Sequence, residues 1–98
     1  MTLFEAVQLV IAADEAPDHP DYDLLDDAAT ECRIVLARRP HATGPLVDAA
    51  RAFIAWNTAD MLGDGYAWTT YDKALALCRA AVFAIENRNQ SVLPLTAH

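Results

Sequence analysis

The chain has 98 residues, 54% of them hydrophobic, and a formal net charge of −7. That length holds one domain, near the small end of those that bury a core without metals or disulfides, and the apolar fraction excludes a disordered chain. A charge of this sign repels nucleic acid and anionic membrane, so direct binding to either is not expected.

Alanine, the best helix former, fills 20 positions, and only three glycines and five prolines interrupt the chain. No stretch alternates apolar and polar residues as a half-buried strand does. The class is therefore all-α. The first helix is expected over about residues 2–16. Thr2 and Glu5 stand in capping-box spacing, and Leu3, Phe4, Val7, Val10 and Ile11 form an apolar face. Pro17 and Pro20 stop it. A second helix over about 20–38 has Asp21, Asp23, Asp26 and Asp27 at its positive end and Arg38 and Arg39 at its negative end, the order the helix dipole favours. Leu25, Ala29, Cys32 and Leu36 lie at inward spacing.

Pro45 suits the first position of a third helix, over about 45–62, with Gly63 as its left-handed stop. Asp48, Arg51 and Thr58 trace a thin polar stripe on it, and Leu46, Ala50, Phe53, Ile54, Trp56 and Met61 cover much of the remaining circumference. The fourth helix, over about 69–87, has a second capping-box candidate at Thr69–Asp72 and a core line of Tyr71, Leu75, Cys78, Val82 and Ile85. Residues 89–98 form a tail expected either to pack as an extended arm or to fray. Four helices with short connections imply an up-down-up-down bundle in a single domain, 1–98.

The distribution of charge says more than its sum. Residues 1–32 hold nine acids and no lysine or arginine, whereas the rest holds five acids and all seven bases. Asp23, Asp27 and Glu31 recur every four residues, which places like charges on one face at a cost of about 0.2–0.5 kcal/mol per neighbouring pair. A face that carries this penalty can dock arginines and lysines. Asp18, Asp21, Asp23, Asp26, Asp27 and Glu31 are the expected partner-binding residues, for a protein with a basic surface. Solvation of a face with helix-dipole caps accounts for the same acids equally well.

An aromatic group, Tyr66, Trp68 and Tyr71, follows Gly63-Asp64-Gly65 and is the alternative binding surface of a helical adaptor or anti-activator. The same residues can instead cover one end of the bundle. Thin polar stripes on helices 1, 3 and 4 leave apolar arcs wider than one neighbour covers. Either exposed alanines account for this or a second copy forms a homodimer.

Catalytic chemistry is not indicated. Cys32 and Cys78 fall on inward lines with no CxxC partner, His19 and His41 lie in proline turns, and His98 is terminal. No P-loop, dinucleotide fingerprint, nucleophile elbow or zincin helix is present. Asp18, His19, Asp21 and Asp23 offer metal donors without the spacing of an EF-hand. A ligand pocket would need Phe53, Trp56 and Tyr71 to line a space with Asn57 as its polar group. No enzyme, metal or cofactor is expected. The absence of a basic leader or a long apolar run, with two separated cysteines, points to the cytoplasm.

These readings converge on a small non-enzymatic regulator or inhibitor that engages a basic, nucleic-acid-binding surface of a partner. In size and charge the chain is similar to small acidic phage and plasmid proteins such as anti-CRISPR and anti-restriction proteins. That similarity is one of composition, without a family motif.

Overall fold

The computed structural model describes residues 1–17, 21–63 and 67–97. It contains four helices, α1 (Leu3–Asp14), α2 (Tyr22–Arg38), α3 (Pro45–Met61) and α4 (Ala67–Ala97). The ends of the first three follow from local chemistry. The Thr2 hydroxyl accepts the Glu5 N–H at 3.1 Å while the Glu5 carboxylate accepts the Thr2 N–H at 2.9 Å, closing the capping box. That acceptor role holds the Glu5 carboxyl below the usual carboxylate range. Asp21 caps α2 by accepting the Leu24 N–H at 3.2 Å. Its own N–H donates to the Ala13 carbonyl, which ties α2 to the end of α1.

Pro45 opens α3 behind Gly44, whose φ of +119° suits glycine alone, and Gly63 at φ +79° closes it. The fourth helix differs from its expected span at both ends. It starts at Ala67, so Thr69 and Thr70 lie within the helix and no capping box forms at Thr69–Asp72. It continues ten residues past Asn87, with no glycine or proline between Asn87 and Pro94 to stop it, and carries Pro94 within its last turns, so the tail is helical through Ala97.

Each helix runs antiparallel to the next. Asp26 of α2 meets Asn57 of α3, while Leu36 and Leu46 share a cavity at the opposite end. On the α4 side, Asp14 of α1 meets Tyr71 and Ile11 lies beside Val82 and Phe83. In the closing pair Trp56 stacks on Tyr71 and Cys78 faces Ala49. The result is the up-down-up-down bundle, with α1 packed between α2 and α4 and also reaching α3.

Its core is rich in alanine. Ala6, Ala13, Ala28, Ala29, Ala49, Ala50 and Ala74 are completely buried, and with no side chain beyond Cβ they let the helices approach closely around Val7, Val10, Leu25, Phe53 and Trp56. Met61 belongs to the wide apolar arc of α3 and is not covered by a neighbouring helix. It sits on the last turn of α3 and is 73% exposed.

Candidate functional site

The acid-rich segment divides into carboxylates that the fold engages and carboxylates that it leaves at the surface. Asp14 and Glu15, at the end of α1, meet Arg79 of α4 at 2.9 and 2.6 Å. Asp14 also accepts the Tyr71 hydroxyl at 2.6 Å. Burial and this bond to a carboxylate raise the Tyr71 pKa. The expectation of a leading segment without cationic compensation is corrected at this point, because Arg79 reaches back across 64 and 65 positions in sequence.

A second cluster joins α2 to α3. The Asn57 amide donates to the Asp26 carboxylate at 3.0 Å, and the Arg33 guanidinium donates to the Asn57 carbonyl oxygen and the Thr58 hydroxyl, each at 3.1 Å. Asn57 is 2% exposed, a buried amide satisfied on both its donor and acceptor sides. This removes the ligand pocket considered for α3 and α4. Asn57 is engaged by α2, and the rings of Phe53, Trp56 and Tyr71 stack on one another at centroid distances of 5.3 and 4.7 Å. Asp26, one of the acids expected at a partner surface, is exposed and also engaged in this network.

Asp23, Asp27 and Glu31 make no ion pair among the described residues. They lie along about 12 Å of α2, Asp23 and Asp27 exposed and Glu31 half-buried. Asp27 and Glu31 border a groove of about 310 Å³ whose apolar lining comes from Leu9, Ala12 and Ala13 of α1 and Leu24 of α2. Leu9 is 38% exposed and Leu24 45%. Of the remaining acids, Asp21 is occupied as the α2 cap and Asp18 lies outside the described residues.

Tyr66 and the Trp68 side chain also lie outside the described residues, whereas Tyr71 is a core residue and no part of an exposed aromatic surface. A stripe of exposed apolar residues lies on α4, where Leu77 is 47% and Phe83 67% exposed, with Ala76, Ala80 and Ala84 exposed between and beside them. These positions share one face of the helix, opposite Tyr71, Cys78 and Val82.

Cys32 and Cys78 are free and fully buried, and burial pushes their thiols up to about 11 and about 12. Their protonated state at neutral pH is that of small core hydrophobes and not of nucleophiles or metal ligands. Among the described residues no group of three or more His, Cys, Asp or Glu side chains converges in a way that could hold a metal ion. His19, with Asp18 part of the metal donor set considered above, falls outside those residues. No helix there is long and apolar enough to cross a membrane. No family model matches the chain, and no curated protein or solved structure is significantly similar to it.

Proposed function

We propose that this chain is a non-enzymatic interaction protein that binds a basic, nucleic-acid-binding surface of a partner protein through the acidic row of α2, acting as small acidic phage and plasmid inhibitors do. The observation that supports this reading is the division of the carboxylates. Asp14, Glu15 and Asp26 have partners within the fold, while Asp23, Asp27 and Glu31 make no ion pair among the described residues and retain their mutual repulsion. Arginines or lysines from outside would relieve that repulsion, and the Leu9–Leu24 groove beside the row adds apolar contact area.

Affinity capture from a lysate of the source cells at about 50 and about 500 mM salt tests it, since the higher value shortens the screening length to a few ångströms. A partner captured at low salt is expected to be lost at high salt and to be lost from the D23K/D27K/E31K variant, while D60K retains it. Retention by the triple variant would overturn the assignment.

The α4 stripe favours a second reading of that separate face, as a contact with another copy of the chain. Sedimentation between about 10 and 500 µM is expected to show a concentration-dependent dimer that L77E/F83E reduces to monomer. A monomer throughout this range would dismiss it.

A further inference from the structure

At the end of the bundle opposite the Asp14–Arg79 contact, α1 begins, α2 ends and α3 begins around an open cavity of about 400 Å³. We infer that this cavity binds a small amphipathic carboxylate, with the alkyl chain inside and the carboxylate at the mouth. Its inner lining is apolar. Val35 and Val47 are buried, and Leu3, Leu36 and Leu46 are half-buried. Two exposed cations, Arg38 and Arg39, also line it, and among the described residues neither is in an ion pair. No carboxylate lines the cavity. Glu5, one turn into α1, has its carboxylate on the Thr2 N–H.

An apolar enclosure of this volume with a few convergent polar groups is the general form of a small-molecule site. The charge of those groups sets the class of ligand. Guanidiniums offer paired N–H donors suited to a carboxylate. The α3 N-terminus, where Gly44 supplies no side-chain acceptor, opens on the cavity at Leu46 and Val47 and offsets the carbonyl end of α2. The net negative charge of the chain does not forbid an anion here. Glu31, the nearest acid of the α2 row, lies about 10 Å from Arg38 along the helix, a little more than one screening length at physiological salt.

The test uses decanoate, decyltrimethylammonium and acetate as probes, each below its micellar concentration, with ¹H–¹⁵N chemical shifts of the full chain as the readout. Decanoate is expected to give saturable shifts at Val35, Ala42 and Val47. Acetate, lacking the chain, and the cationic amphipath should each bind at least tenfold more weakly. R38Q/R39Q should weaken decanoate at least tenfold with the helix content unchanged. L46W, which fills the cavity and keeps both arginines, should abolish saturation. Equal binding of the cationic probe, undiminished binding by either variant, shifts located elsewhere, or no saturation with decanoate would each overturn the inference.

Discussion

Replacing Trp56 by alanine is expected to remove about 3–5 kcal/mol of folding free energy, the cost of deleting a fully enclosed large aromatic. Trp56 is 1% exposed on the inner face of α3. Its ring is flanked by Phe53 at 5.3 Å and by Tyr71 at 4.7 Å, in tilted arrangements that contribute beyond area burial alone. The loss would also spread. Tyr71 is held between Trp56 and the Asp14 carboxylate, so a void on one side of its ring loosens the α4–α1 contact on the other. A domain of this size has a total stability of only about 5–15 kcal/mol. Urea unfolding followed by far-UV circular dichroism is expected to show W56A at the edge of stability at 25 °C. Met61→Ala, on the exposed last turn of the same helix, should change the unfolding free energy by less than about 0.5 kcal/mol. Comparable effects at the two positions would mean that the aromatic cluster is not the centre of the core.

The contrast between Trp56 and Met61 marks what periodicity can and cannot tell. Both lie on the wide apolar arc outside the polar stripe of α3. Direction around a helix is readable, but whether a neighbouring helix extends far enough to cover a given turn is not, and α3 ends at Met61. Helix starts were legible where a single local device governs them, as with Thr2 and Glu5, Asp21 and Pro45. At Thr69 the same residue pattern does not mark the start, because the helix begins two residues earlier and Thr69 is not its N-cap.

The acidic segment shows the same division for the candidate site. Counting charges located the surplus correctly but could not say which acids find cations. Arg79 reaching Asp14 and Glu15, and Asn57 bridging Asp26 to Arg33, are contacts between residues 24 to 65 positions apart, set by the bundle and not by any local pattern. Asn57 carried one readable signal, a lone amide among alanines and aromatics on α3. The spacing that placed it near the core did not reveal that its partners come from α2.

The two core thiols make the fold sensitive to alkali. An unfolded cysteine loses its proton near pH 8.5, whereas burial raises Cys32 to about 11 and Cys78 to about 12. In the folded chain each thiol sits in an apolar setting, Cys78 directed at the Ala49 carbonyl at 3.8 Å. Between the unfolded and folded values the unfolded chain has given up protons that the folded chain keeps, so rising pH favours unfolding. The contribution is complete below about pH 8.5 and declines by about 1.4 kcal/mol per thiol for each further pH unit, until Cys32 ionises in place. Two thiols together should lower the urea midpoint by roughly 1–2 M between pH 9 and 10. Tyr71, raised in the same direction from a higher starting value, adds to the effect only above that interval. The measurement is the pH slope of the midpoint, not its absolute value, since C32A/C78A also loses some packing. The double variant is expected to be nearly flat from pH 8 to 10 and each single variant to retain about half the slope. An unchanged slope in C32A/C78A would mean that the protonated core thiols are not the source of the alkaline loss.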